Sequence, residues 1–281
     1  MYEAFFGLRE MPFSLTPNTR YFLRADSHRD ALETLVVALK HQEGFIKVTG
    51  EVGTGKTLLC RLLLNALESE AVTAYLPNPQ LSPDSLYLAL ADELGVTIED
   101  SAHTHRTLGA LQAHLIEQAR QERSVILIVD EAQSIPAETL EALRLLTNLE
   151  TESRKLLQVV LFGQPELDTL LNQDNLRQLK QRITFHCRLK PLDRNAVAHY
   201  LQHRMSLAGH DGAPVFHPRA VKHLARSSGG IPRLINILAH KSLLAAYGRG
   251  DHEVKPVHVK QAVKDTESAR RSGWFGWGAR A

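Results

Sequence analysis

The part of the chain richest in chemistry is a glycine-rich run that ends in a lysine and a threonine. The run reads Gly50, Glu51, Val52, Gly53, Thr54, Gly55, Lys56 and Thr57. Glycines let a backbone adopt positive φ, so that successive N–H groups face one anion. The Lys56 ammonium can reach the β- and γ-phosphates of a bound nucleotide, and the Thr57 hydroxyl can ligate Mg²⁺. The spacing predicts a phosphate-binding loop that takes ATP and Mg²⁺.

The segments on either side of this loop favour the same interpretation. Residues 45–49 are apolar and β-branched, which is typical of a buried strand, and residues 58–67 are strong helix formers. A strand, loop and helix in this order separate a phosphate site from an incidental glycine-rich turn. Leu58 continues the site into the helix, whose positive N-terminal dipole would face the phosphates.

An acidic pair follows a second apolar segment. Residues 125–129 are five consecutive aliphatic residues, four of them β-branched, and they predict a central parallel strand. Asp130 and Glu131 follow directly, at the edge where open α/β sheets place ligands. We predict that Asp130 holds Mg²⁺ together with Thr57, and that Glu131 acts as general base on the attacking water. The alternative is a solvated acidic turn.

Composition limits the class of protein. The chain has 281 residues and 43% hydrophobic content, enough for a sizeable core in two domains. No apolar run approaches the ~20 residues of a membrane span, and the N-terminus does not resemble a signal peptide. Cys60 and Cys187 are expected to be reduced, because no disulfide or zinc spacing is present. We therefore expect a cytoplasmic protein. Peripheral contact with the inner face of the inner membrane stays open.

The order of elements predicts an α/β fold. Strands alternate with helices up to residue 190, which indicates a mainly parallel sheet between helical layers, and helices alone follow. Residues 190–281 carry 15 Lys and Arg against 6 Asp and Glu, a net charge of +9. The predicted divisions are an N-terminal coil and helix packed on the core at 1–44, the α/β core at 45–190, a helical lid at 191–268 and a flexible Trp-containing tail at 269–281.

Further motifs resemble the AAA+ branch of P-loop ATPases, and within it the general-secretion-pathway A family. The resemblance covers about residues 1–265 and includes the opening Pro12–Pro17. Gln164, after an apolar segment at 156–162, falls where this family has its sensor 1 residue. The segment at 179–183 resembles the region of the arginine finger, which implies Arg182. The segment at 229–236 resembles the sensor 2 motif, which implies Arg233.

The resemblance implies a P-loop ATPase fold, a three-layer sandwich with a helical lid, and ATP hydrolysis that is stimulated by oligomerisation. An arginine finger that acts in trans implies that the chain binds further copies of itself, in a ring or dimer. Pilus or secretion assembly proteins at the inner membrane are the other implied partners. The chain stops at Ala281, before the membrane span and peptidoglycan-binding domain of secretin-assembly members. That length favours the M-type ATPases of MSHA (type IV) pilus biogenesis.

Several alternatives stay open at this point. One is a DNA-binding ATPase of the transposition or initiator kind, and another is a nucleotide sensor without turnover. Trp274 and Trp277 suit docking to a partner or membrane interface. The stretch 13–21 is the candidate adenine pocket. His199 and His203 have a metal-binding spacing, but no third ligand is apparent and an exposed polar face is favoured.

Overall fold

A computed structural model describes residues 1–23, 25–98, 104–150 and 154–270 of the chain. They form two compact units. One is Asp26–Lys190, and the other combines Met1–Ala25 with the described part of Pro191–Ala281.

The first unit, called here the α/β unit, is built on a five-stranded sheet in the order β2-β3-β4-β1-β5. All neighbouring strands are parallel. Their bounds are β1 Phe45–Thr49, β2 Ala71–Leu76, β3 Ser124–Val129, β4 Gln158–Gly163 and β5 Ile183–Arg188. The predicted parallel sheet is confirmed. β5 is an edge strand, which explains why its sequence is more polar than that of the central strands.

Helices cover both faces of this sheet. Their bounds are α1 Asp26–Lys40, α2 Lys56–Leu67, α3 Pro83–Glu93, α4 Thr104–Arg120, α5 Ala137–Leu146, α6 Glu166–Leu171 and α7 Arg177–Arg182. Alternate residues of β3 point to opposite faces, as the pleat requires. Leu127 packs in a cluster that includes residues of α3, α4 and α5, whereas Ile128 packs in one that includes residues of α1 and α2. The three-layer α/β sandwich predicted from the sequence is therefore present.

Some element boundaries differ from the predicted ones. The apolar pattern after Pro136 predicts a helix to Leu149, but α5 ends at Leu146, where the Thr147 hydroxyl donates to the Arg144 carbonyl at 2.9 Å. β4 begins at Gln158 rather than at Leu156. The short helices α6 and α7 were not predicted, because six residues are too few to show a helical period.

The second unit, called here the helical unit, contains α8 Arg194–Leu207, α9 Pro218–Ser228, α10 Pro232–Tyr247 and α11 Pro256–Lys264. Its core combines aliphatic residues of these helices with aromatic residues from the beginning of the chain. None of the described helices in either unit has the length and apolar character that a membrane crossing requires.

The N-terminal division predicted from the sequence is wrong in part. α1 belongs to the α/β unit as expected, but residues 1–25 cluster with the helical unit. The reason is their aromatic content, since Tyr2, Phe6 and Phe13 are buried in the core of that unit. Arg204 adds a polar tie, because its Nε donates to the Pro12 carbonyl at 2.5 Å.

The candidate adenine stretch and the predicted tail are also affected by this packing. Phe13 and Tyr21, at the ends of the stretch, are only 3% and 4% exposed. Phe13 lies in the core of the helical unit, and the Arg204 guanidinium lies over the Tyr21 ring at 4.6 Å from its centroid. Ala269 is buried in the same core, and the Arg270 N–H donates to the Ser227 carbonyl at 2.9 Å. The helical unit therefore extends beyond the predicted end at residue 268, while Trp274 and Trp277 lie outside the described residues.

Candidate functional site

The glycine-rich loop joins the end of β1 to the start of α2, as the sequence predicts. Gly53 has φ 79° and Gly55 has φ 104°, both in the region that favours glycine. At Gly50 the constraint is space, because a Cβ would lie 2.7 Å from the Thr54 hydroxyl oxygen. Among the described residues, the N–H groups of Gly53 and Gly55 have no hydrogen-bond acceptor. The loop therefore offers backbone donors to an anion.

Lys56 is the first residue of α2 and is 5% exposed. Its Nζ donates to the carbonyls of Gly50 at 2.8 Å and Glu51 at 3.2 Å, so the side chain folds back over the loop. Burial lowers the pKa of Lys56, and the nearby carboxylates of Glu131 and Asp130 oppose this effect. A cation held in this way is suited to a phosphate group.

The other loop residues predicted to bind nucleotide have different environments. Glu51 and Val52 are exposed. Thr54 is fully buried and ties the loop together, since its hydroxyl donates to the Glu51 carbonyl at 2.8 Å. Leu58 is half-buried in the first turn of α2. The backbone of the loop fixes the positions of these residues relative to Lys56.

The two predicted Mg²⁺ ligands are in contact. The Thr57 hydroxyl donates to the Asp130 Oδ2 at 2.7 Å. Asp130 follows β3 and is 3% exposed, and its backbone N–H donates to the Leu76 carbonyl at the end of β2. A hydroxyl and a carboxylate oxygen are hard donors, and these are the ligands that Mg²⁺ prefers. The residues present therefore fit a magnesium ion beside the phosphate-binding loop.

Glu131 has a strained backbone conformation. Its φ of 51° and ψ of 38° lie in the left-handed region, which costs a residue other than glycine on the order of 1–3 kcal/mol. The Glu131 N–H donates to the Asp130 Oδ1 at 2.9 Å, which helps to hold this turn. The turn separates the two carboxylates: Asp130 faces Thr57, whereas Glu131 faces the residues that follow β4.

Two glutamine side chains hold the Glu131 carboxylate by one oxygen. Gln133 Nε2 lies 2.6 Å and Gln164 Nε2 lies 3.0 Å from the same Oε2 atom. Gln133 Oε1 in turn accepts from the Gln164 backbone N–H at 2.9 Å. In the described part of the chain, Oε1 of Glu131 has no hydrogen-bond partner. One oxygen is therefore fixed, while the other can accept a proton from water.

The local environments of the two acids separate their pKa values. Burial raises the pKa of Asp130, although hydrogen bonds from Thr57 and the Glu131 N–H act against it. Burial also acts to raise the pKa of Glu131, but the bonds from Gln164 and Gln133 and the charge of Lys56 outweigh it. The pKa of Glu131 is therefore lowered, and at neutral pH the group is a carboxylate.

The sequence interpretation missed Gln133. It lies in a short 3₁₀ helix, Ala132–Ser134, directly after the acidic pair. No motif spacing marks Gln133 in the sequence. Its contact is with Gln164, which follows a different strand. The signal that could have found Gln133 is its place just after a central strand, because polar residues that follow central strands meet at the carboxyl edge of a parallel sheet.

The two predicted arginines belong to different units. Arg182 ends α7, is half-buried, and its Nη1 lies 3.5 Å from the Arg144 carbonyl. Its described contacts do not include the phosphate-binding loop. Arg233 is the second residue of α10 in the helical unit and is exposed. The α/β unit thus brings together Lys56, Thr57, Asp130, Glu131 and Gln164, but neither arginine joins them there.

Comparison with known proteins agrees with this geometry. Residues 39–171 match the family model described as AAA domain. General secretion pathway protein A of Aeromonas hydrophila is 40% identical over 296 aligned residues, which cover 99% of this chain and 54% of that protein. The chain thus spans about half the length of this relative.

Solved structures show the same fold at low sequence identity. The Cdc6p structure from Pyrobaculum aerophilum has a TM-score of 0.71 at 19% identity, covering 90% of this chain and 70% of that one. The Aeropyrum pernix ORC2 protein, in its ADPNP–ADP complexes, has a TM-score of 0.65 at 19% identity and covers 94% and 73%. By the domain match at residues 39–171 and by the identity along almost its full length, the chain is similar to AAA domains and to general secretion pathway protein A.

Proposed function

We propose that this chain binds Mg·ATP and hydrolyses it to ADP and phosphate. The observation that carries the proposal is the contact of Thr57 with Asp130 beside the phosphate-binding loop, with Glu131 as the next residue. A sensor without turnover would need no carboxylate with one fixed and one available oxygen. The three features together supply a phosphate cradle, oxygen ligands for a cation and a base.

Each residue has a separate task in the proposed reaction. The loop N–H groups and Lys56 bind the terminal phosphates and neutralise the charge that develops on them. Glu131 orients a water molecule through its Oε1 and takes up a proton from it. Gln164 keeps the Glu131 carboxylate in place by donating its Nε2–H to Oε2. Thr57 and Asp130 would hold a Mg²⁺ ion, which would supply positive charge to the phosphates when bound.

We also propose that hydrolysis depends on self-assembly. Arg182 belongs to the α/β unit but contacts the α5 backbone rather than the phosphate-binding loop. An arginine in this position suits the active site of a neighbouring copy, where a finger in trans adds about 10³–10⁵ in rate. Arg233, exposed at the start of α10, is proposed to read the nucleotide state.

The cellular role is proposed from the relative. Its name places it in general secretion, so we propose that this chain acts on the cytoplasmic side of the inner membrane. There it would drive or regulate assembly of a secretion machine or type IV pilus. The narrower assignment to the M-type ATPases of MSHA pilus biogenesis stays a prediction.

The test of the enzymatic proposal is turnover measured across protein concentration. We expect the rate per subunit to rise steeply as the concentration passes the assembly range, because the trans arginine is supplied only between copies. The oligomeric state is measured over the same range of concentration. If the chain forms an oligomer only at tens of micromolar, a rate per subunit that stays constant from the nanomolar range upward would contradict a trans site.

A second candidate function, DNA binding, is favoured by one observation. Arg219, Lys222 and Arg226 are all exposed on α9, at spacings of three and four residues that place them on one face. In the described ranges, none of the three makes an ion pair with a carboxylate. Phosphate contacts by such a face release counterions, so affinity for duplex DNA should fall steeply with salt. Lack of binding at ~50 mM salt would remove this candidate.

A further inference from the structure

A histidine from α1 reaches the phosphate-binding loop. His28 lies in the first turn of α1 and is 4% exposed. Its Nε2 is 2.7 Å from the carbonyl oxygen of Thr54. A carbonyl can only accept a hydrogen bond, so Nε2 carries the proton. The sequence interpretation did not single out this residue, because it precedes the loop by more than 20 positions and forms part of no motif.

The bond fixes the orientation of one peptide group in the loop. The chain has no cis peptide bonds among its described residues, so the peptide between Thr54 and Gly55 is trans. In a trans peptide, the C=O and the following N–H point in opposite directions. Holding the Thr54 carbonyl toward His28 therefore turns the Gly55 N–H away from the imidazole, and among the described residues this N–H has no acceptor.

The packing around Gly55 supports the same role. A Cβ at Gly55 would lie 3.3 Å from His28 Nε2, so the imidazole lies directly against this glycine. Two other loop carbonyls, those of Gly50 and Glu51, accept hydrogen bonds from Lys56. His28 ties the Thr54 carbonyl from outside the loop. Without it, the peptide of residues 54 and 55 would lose the bond that sets its direction.

We infer that His28 is a positioning residue for the nucleotide phosphates, acting through the Thr54 carbonyl to aim the Gly55 N–H at them. The inference rests on the proposed nucleotide-binding function. This positioning role of His28 differs from a space-filling role, in which any side chain of similar volume would serve.

The test compares two amide variants by calorimetry with Mg·ADP and Mg·ATP. Glutamine places an amide N–H where Nε2 stands, so His28→Gln should bind within about twofold of the wild type. Asparagine is polar but too short to reach the Thr54 carbonyl. We expect His28→Asn and His28→Leu to bind about threefold to tenfold more weakly, the effect of one hydrogen bond. His41→Leu, at an exposed histidine just after α1, is the matched control and should bind normally.

Thermal unfolding of the nucleotide-free variants separates positioning from packing. Equal affinity of wild type and a folded His28→Asn would overturn the inference, even if His28→Leu failed to fold. So would a lowered melting temperature with unchanged affinity, because that result indicates a packing role. Lys56→Ala reports on the proposed function itself: if it bound nucleotide normally, the nucleotide site would be misplaced whatever the histidine variants did.

Discussion

Two regions of this chain differ in how far their charged side chains are buried and paired. At the carboxyl edge of the sheet, Lys56 and Asp130 are buried, and each is held by named partners at hydrogen-bond distance. On α9, Arg219, Lys222 and Arg226 are exposed and lack carboxylate partners in the described residues. Buried charges are costly unless paired, whereas exposed charges cost little and act over the Debye length.

This difference separates two kinds of function. A preorganised site, in which the donors already point at the ligand, can stabilise a transition state without rearrangement. An exposed basic face can attract a polyanion but holds no atom in place for chemistry. We therefore expect variants at the sheet edge to change turnover, and variants on α9 to change association and its dependence on salt.

The largest effect is expected for Arg182, which lies outside the preorganised site of its own chain. Arg182→Ala should lower turnover by about 10³–10⁵ while nucleotide affinity is kept. Mixing Arg182→Ala with Glu131→Gln provides the sharpest measurement. Each variant then supplies what the other lacks, and the mixture should be more active than either alone. An inactive mixture of folded, co-assembled variants would contradict a finger in trans.

Glu131 is expected to come next. Glu131→Gln keeps the shape and the polar contact but removes the base, so turnover should fall by about 10²–10⁴ with ATP still bound. Steady-state phosphate release and nucleotide binding are measured on the same preparation. Glu138→Gln, an acidic residue in the first turn of α5, serves as the control and should hydrolyse normally. Normal hydrolysis by Glu131→Gln would show that another group is the base.

The α9 face should respond only in its interaction with polyanions. Reversing Arg219, Lys222 and Arg226 to Glu should reduce the slope of log affinity for duplex DNA against log salt by about 3, with ATP affinity unchanged. The matched control reverses Arg29, Lys40 and Arg120, each of which already has a carboxylate partner. If both triple variants lost DNA binding equally, overall charge rather than the α9 face would be responsible.

Gln133 tests whether fixing one carboxylate oxygen matters. Gln133→Leu should lower the turnover by about 10- to 100-fold, since a hydrogen bond to a charged group is worth ~1.5–3 kcal/mol. The pKa of Glu131 should rise, because the lost bond helps to lower it. The acidic limb of the pH–rate profile should therefore move to higher pH. A lower rate with an unmoved limb would indicate a general loss of packing instead.

The smallest effect concerns pH and stability. Burial is the largest cause that lowers the pKa of six histidines below the ordinary 6.5, namely His28, His186, His203, His223, His240 and His258. The unfolded chain then binds more protons than the folded chain as pH falls through about 6.5. Stability should therefore decrease on acidification. We expect a lower melting temperature at pH 5.5 than at pH 7.5; an equal or higher value would contradict the burial of neutral imidazoles.

The sequence was most informative where local pattern and chemistry coincide. The loop at 50–57 and the strand before Asp130 could be recognised because residue type, spacing and flanking elements agree over a short stretch. The edge position of β5 could be anticipated from its polarity. These features depend on the order of residues along the chain, and they need no knowledge of distant contacts.

Features that depend on distant contacts could not be read in this way. Gln133 meets Gln164, and His28 meets Thr54, only because separate elements end at one edge of the sheet. Likewise, the aromatic residues of the first 25 positions pack with helices that follow residue 190. Position along the chain wrongly indicated that this segment covers the α/β core.

The most direct test of the central claim is calorimetric titration of the chain with Mg·ATP, with Lys56→Ala as the matched control. We expect one binding event per chain for the wild type and no measurable heat for Lys56→Ala, although both proteins unfold cooperatively. Absence of binding by the folded wild type, or equal binding by both proteins, would contradict a nucleotide site built on this loop.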